Sequence, residues 1–163
     1  MSSRAIACLL LLSLCPAPAI AQVLAAQPRV AILTGFGNAF GGIGAAGDAY
    51  IVGGRFSVFA GLGIWPGNST FQTFRARAAG VRFYVPLARW GHRLFGEASV
   101  SVLGIRQATF IGAPTSHDYG PGLSVGYSYL ARSGFTLTAG AGAGRVYDTI
   151  VPLLHAGLGW TWR

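Results

Sequence analysis

Ser116, His117 and Asp118 stand in a row inside TSHDYG (115–120), and they are the residue types of a nucleophile, a general base and its orienter. Neighbours on an extended segment point to opposite sides, so three consecutive residues do not converge on one reacting atom. The stretch therefore reads as a solvated loop, and no catalytic residue is assigned. Glu97 and the arginines Arg55, Arg75, Arg77 and Arg82 offer other chemistry. A carboxylate among guanidinium groups makes charge-assisted, often bidentate hydrogen bonds, and a buried carboxylate needs such partners. His92 and His155 are isolated, and no spacing of ligands suggests a metal. The glycine clusters GFGNAFGGIG and GAGAG lack the strand–turn–helix setting that a nucleotide loop requires, so no cofactor is expected.

These residues must be positioned by strands, because the chain alternates with a period of two and shows no helical period. The final stretch, HAGLGWTWR, sets Leu158, Trp160 and Trp162 on one face and His155, Gly157, Gly159 and Thr161 on the other. Seven such runs are legible: 30–38, 50–64, 70–85, 94–102, 119–130, 135–146 and 154–162. In 50–64, Arg55 shares the polar face with Ser57, and in 94–102 Glu97 shares it with Ser99 and Ser101. Within 70–85 the apolar parity changes between Phe74 and Val81. A bulge near 78–80 would account for the change and would turn Arg75, Arg77 and Arg82 inward. GGIGAAGD (41–48) reads as a flexible connection, PGNS (66–69) as a tight turn and ARSG (131–134) as a hairpin turn. No linker divides the chain.

Composition decides what covers the apolar faces. Of 163 residues, 52% are hydrophobic and only 10% are charged, there is no lysine, and there are four acidic residues. A soluble β-domain would need a charged outer face, and about 25% charged residues is usual. The formal charge of +8 comes from dispersed arginines, not from a basic element shaped for a groove, so nucleic acid is not an expected partner. The N-terminus has Arg4, an apolar run to Leu14, and Ala19-Ile20-Ala21. That is a signal peptide of residues 1–21 with cleavage after Ala21, leaving residues 22–163 as one domain. Both cysteines, Cys8 and Cys15, lie in the removed segment, so the mature chain has no thiol chemistry. Apolar outer faces with aromatic residues near strand ends, and inner faces of Gly, Ser and Thr, predict an all-β, closed, antiparallel, up-and-down transmembrane β-barrel. Single-chain bacterial barrels have even strand numbers, so eight strands are expected, with the unseen one sought in 22–40 or 107–119.

The segments LGWTW, GVRFYVP and LFGEASVSV resemble the small outer-membrane β-barrel proteins of Gram-negative bacteria. The resemblance covers most of the mature chain and is one of pattern. It implies a bacterial outer-membrane location reached through the periplasm. It also implies delivery by the barrel-assembly machinery, which reads a terminal aromatic residue in that family. Trp162 is that aromatic here, with Arg163 following it. At that location outer-membrane lipids are the expected partners; arginines near the strand ends read equally as contacts to lipopolysaccharide phosphates, which suit the planar donor fork of arginine, and as simple interfacial charge. Outer-membrane lipid A deacylases are similar in size, but their His-x-Ser strand motif with a later Glu is absent in that form, as is the palmitoyltransferase pattern. The expected role is therefore non-enzymatic, structural or surface-interacting. A lipid A-modifying enzyme is the alternative and a narrow solute channel a further one. In a small barrel side chains fill the interior. Arg55, Arg82 and Glu97 are accordingly expected as a lumen plug, with Arg75 and Arg77 as further lumen arginines.

Overall fold

In the computed structural model the chain is described over residues 28–65, 74–106 and 116–163. The expected signal peptide 1–21, the turn at 66–69 and Thr115 lie outside the described residues, and so do the side chains of Ser116 and His117. Eight antiparallel strands follow in order: β1 Val30–Gly37, β2 Gly42–Ile51, β3 Phe56–Trp65, β4 Phe74–Pro86, β5 His92–Arg106, β6 Ser116–Leu130, β7 Phe135–Val146 and β8 Thr149–Trp162. Each strand pairs with its sequence neighbours, and β1 closes the barrel on β8, from Val30 opposite Trp162 to Gly37 opposite His155. Closure leaves no row of unpaired backbone groups, the condition for a sheet surrounded by lipid.

The eighth strand is β2, in neither of the two stretches where it was sought. Residues 41–48, read as a flexible connection, are mostly strand, and the single run at 50–64 is the end of β2, a turn at 52–55, and β3. The faces of β2 explain the misreading. Ala45, Gly47 and Ala49 look outward and Gly44 and Ala46 inward, so small residues occupy both sides and the hydropathy contrast almost vanishes.

Elsewhere the alternation is inside-out relative to a soluble protein. Ser57, Ser99, Ser101, Ser124, Ser128, Thr136, Thr138 and Thr161 are buried in the lumen. Val58, Leu62, Val81, Val100, Leu123, Val125, Leu137, Leu154 and Leu158 are exposed on the outer wall. Aromatic residues flank this apolar belt. Phe56, Phe83, Phe135, Trp160 and Trp162 lie toward the end where β1 begins and β8 ends, here the terminal end, and Phe36, Tyr119 and Tyr147 toward the other. The terminal end has the short turns 52–55, 87–91 and 131–134. The opposite, loop end carries the connections 66–73 and 107–115.

β4 corrects the expected phase switch. Its register with β3 and β5 runs without interruption through 78–80, so the even-numbered residues Ala76, Ala78, Arg82 and Tyr84 all face inward. The irregularity in the described sheet lies instead between Val102 and Gly104, where β5 meets β6.

The β1–β2 connection folds into the barrel. Asn38–Phe40 form a single 3-10 turn, with Ala39 and Phe40 fully buried. Gly41 reverses the chain with φ 65°, a left-handed conformation that glycine adopts without steric cost. Room for the turn comes from β8, the strand paired with β1. A Cβ on Gly157 would run into the Phe40 ring, so the missing side chain at 157 is the space that Phe40 fills.

Candidate functional site

The strands gather the charges of the lumen around Arg82. Arg82 and Glu97 are directly opposed in the β4–β5 register, both on the inward face. Arg82 Nε donates to Glu97 Oε2 at 2.7 Å. Arg82 Nη1 donates to both carboxylate oxygens of Asp48 at 2.8 Å, and Ser57 Oγ donates to Asp48 Oδ1 at 3.0 Å. The three charged side chains are 0 to 2% exposed. The guanidinium lies 4.0 Å over the Phe59 ring and 5.6 Å from that of Phe95, so its faces pack on rings while its edge meets carboxylates. His155 Nε2 stands 3.9 Å from Glu97 Oε2, beyond hydrogen-bond reach.

Rings continue this packing along the barrel. Phe40 meets His155 edge-on at 6.4 Å, His155 stacks on Phe95 at 5.8 Å, Phe95 approaches Tyr84 at 5.9 Å, and Tyr84 approaches Tyr50 at 5.5 Å, all between centroids. A column of five rings thus runs from the inserted turn at the loop end toward the terminal end. Arg82 is wedged against its middle. Arg93 lies 4.5 Å over Tyr84 at its foot.

Of the residues expected in the lumen, the structure brings Arg82 and Glu97 together and sends three others elsewhere. Arg55 is exposed in the turn at 52–55, because the strand alternation that would aim it inward has already ended. Arg75 and Arg77 are exposed on the outer wall near the loop end of β4, because no bulge reverses their parity. Trp162 is outward-facing at the end of β8, opposite Val30. Sequence reasoning missed Asp48. The signal was the alternation Ala46, Asp48, Tyr50 within β2, hidden by the glycines around it. Tyr50 reads with the apolar face of 50–64, Tyr84 shares the Arg82 face without a role of its own, and Arg93 falls just outside the run that starts at Leu94, whereas β5 begins at His92.

The arrangement suits sealing better than catalysis. Asp48, the acceptor for Ser57, receives Arg82 on both of its oxygens, and the three charged side chains are almost fully buried. His92 is hydrogen-bonded to Tyr127 on the outer side of β5. Among the described residues no serine or threonine hydroxyl bonds a histidine, and no group of three His, Cys, Asp or Glu side chains is placed to hold a metal.

No protein-family model and no curated protein matches the chain. Two solved structures do. The crystal structure of Ail, the attachment invasion locus protein of Yersinia pestis, in complex with the heparin analogue sucrose octasulfate, has a TM-score of 0.50 and 11% identity, covering 83% of this chain and 99% of that one. The backbone structure of the Yersinia pestis outer membrane protein Ail in a phospholipid bilayer nanodisc has a TM-score of 0.49 and 11% identity, covering 83% and 100%. At this identity the likeness is one of fold: the chain shares the small closed β-barrel architecture of an outer-membrane protein.

Proposed function

We propose that this chain is an integral outer-membrane barrel of a Gram-negative bacterium with a non-enzymatic, structural or surface-interaction role. The observation that carries the reading is the filled lumen: the buried Asp48–Arg82–Glu97 network and the ring column ending in Phe40 leave an apolar outer wall and the two rims as working surfaces. The apolar belt with flanking aromatic residues matches a lipid bilayer in character. Residues 1–21 would direct the chain through the periplasm, and Trp162 would serve the barrel-assembly machinery as its terminal aromatic. Outer-membrane lipids are the proposed partners. Arg75, Arg77 and Arg145 lie exposed near the loop end, at the level where lipopolysaccharide phosphates would meet them if that end faces outward. Short turns on the terminal side support that orientation, since barrels of this class keep short turns in the periplasm.

Two measurements, one on the purified barrel and one on cells, test the proposal. In planar bilayers it should give no discrete conductance steps. Mass spectra of lipid A should be the same from cells with and without it. Steps of regular size would favour a channel. Loss or gain of one acyl chain, abolished by Ser116→Ala or His117→Ala, would establish the enzyme instead.

A further inference from the structure

The four acidic residues of the sequence are Asp48 and Glu97 in the lumen, and Asp118 and Asp148 toward the loop end. The terminal end therefore has no acidic side chain, yet it carries Arg29, Arg55, Arg89, Arg93, Arg132 and Arg163. There a cavity of about 220 Å³ opens at the barrel mouth, lined by Arg55, Arg89, Arg93, Arg163, Tyr84 and Trp90 among others. Trp90 holds the guanidinium groups of Arg132 and Arg163 at 5.3 and 5.2 Å from its ring, which gathers cations around this rim.

Arg93 is the anomaly. It is only 8% exposed, and its Nε, like Nη2 of Arg82, has no hydrogen-bond partner; what sets Arg93 apart is its charge. Nη2 donates to Ser128 Oγ at 3.2 Å and to Tyr50 Oη at 3.4 Å, both neutral acceptors. The Tyr84 and Tyr50 rings supply cation–π contact at 4.5 and 5.5 Å. Arg82, four residues' spacing away from Arg93 across the same wall in Glu97's row, has two carboxylates for its one charge. Arg93 has none among the described residues. A buried cation without a counter-ion is costly, and ring faces offset only part of that cost.

We propose that the mouth at the terminal end is an anion site for a phosphate group, with Arg93 as its floor and Arg55, Arg89 and Arg163 as its rim. A phosphate accepts several guanidinium forks at once, which matches multiple arginines better than a single carboxylate does. The volume is several times the roughly 30 Å³ share of one water, so the cavity holds a phosphate with a small substituent such as glycerol. Two sources share that chemistry: a soluble phosphate monoester and the headgroup of an anionic phospholipid at the rim. The site requires only the barrel and its terminal end, so it stands or falls independently of the proposed surface role.

Isothermal titration of the full-length barrel, in neutral detergent at low salt, with inorganic phosphate and with glycerol 3-phosphate reads the soluble source. Capture in nanodiscs of phosphatidylcholine with and without phosphatidylglycerol, followed by extraction of co-purifying lipid, reads the headgroup source. Saturable binding in the first, or phosphatidylglycerol enrichment in the second, supports the site and identifies its source. Arg93→Met should weaken the effect at least about tenfold, as expected for losing a charge-assisted contact, and Arg93→Lys should recover only part of it. If Arg93→Met does not yield the folded, heat-modifiable barrel, the rim variant Arg55→Ser with Arg89→Ser gives the same reading without touching the interior. No binding of either phosphate together with no lipid enrichment overturns the proposal. Binding that survives both the floor and the rim substitutions overturns it as well.

Discussion

Replacing Arg82 with methionine tests the lumen network most directly. Methionine keeps much of the stem that packs between Phe59 and Phe95 but leaves Asp48 and Glu97 without their shared cation. Breaking a buried pair by removing one partner costs about 3–5 kcal/mol, because the remaining charge is left uncompensated. Here two carboxylates are stranded, so Arg82→Met belongs at the upper end of that range. Glu97→Ala should cost less, about 1.5–3 kcal/mol, the value of a hydrogen bond to a charged group, since Arg82 keeps both of its bonds to Asp48. The triple variant Arg82→Met, Asp48→Asn, Glu97→Gln removes all three charges together and should recover at least half of the loss, because a buried neutral amide costs much less than a buried unpaired carboxylate. Urea titrations of the barrel refolded into lipid vesicles, followed by tryptophan fluorescence and by gel mobility of unboiled samples, measure all of these. The reasoning fails if Arg82→Met lies within 1 kcal/mol of the parent, or if the triple variant is no more stable than the single one.

Three further outcomes follow from the same structure. Phe40→Ala empties the space facing Gly157 and should cost about 3–5 kcal/mol. It should also turn a silent barrel into one with small conductance steps, and continued silence would show that the plug does not depend on Phe40. Trp162→Ala should slow insertion in cells, measured as unfolded protein accumulating in the periplasm, while leaving refolding into pure lipid vesicles unchanged; equal slowing in both settings would make the residue a packing element only. Arg75→Ser with Arg77→Ser should weaken retention of lipopolysaccharide by about 2 kcal/mol, taking about 1 kcal/mol per basic residue near an anionic surface, and should leave urea stability unaltered, because both side chains are already exposed.

Architecture was legible wherever one face of a strand carried large apolar residues and the other small polar ones. β6 and β8 illustrate this: Leu123 and Val125 oppose Ser124, and Leu158 and Trp160 oppose Thr161, and burial follows the same division. The reading failed where the physical contrast failed. β2 has Gly or Ala at most positions on both faces, since its inner side must admit the inserted turn. Arg75 and Arg77 were assigned inward through a bulge near 78–80, which the uninterrupted register lacks. An outward charge is tolerable here, near a strand end, because a long guanidinium side chain reaches the aqueous or headgroup layer. Arg55 was misplaced by extending alternation through a turn. Arg82 and Glu97 were legible as a pair because a lone acid on a small-residue face demands a cation, yet the same demand does not reveal that one arginine serves two acids. That required the register, which brings β2 to β3 and β3 to β4 and so sets Asp48 within reach of Arg82 across Ser57.

The order of side chains along the lumen bears on what the barrel can do. Passage of a solute would have to separate the Phe40, His155, Phe95 and Tyr84 rings in succession and also displace an arginine held by three charge-assisted hydrogen bonds. These contacts support one another. Phe95 touches His155, Tyr84 and Arg82, so moving it disturbs the plug, the column and the ion network at once. A device meant to open would place its gate on an element that moves alone. The inserted turn comes nearest to such an element, but it is a single 3-10 turn clasped between β1 and β2, and its aromatic side chain fills a space reserved by a glycine on β8. The charged side chains of the inner wall at mid-barrel pair with one another across the lumen, Arg82 with Asp48 and Glu97. Among the described residues, the charged chemistry that the lumen does not absorb is left to the ends, with Arg75, Arg77 and Arg145 toward the loop end and the arginine-lined mouth around Arg93 at the other.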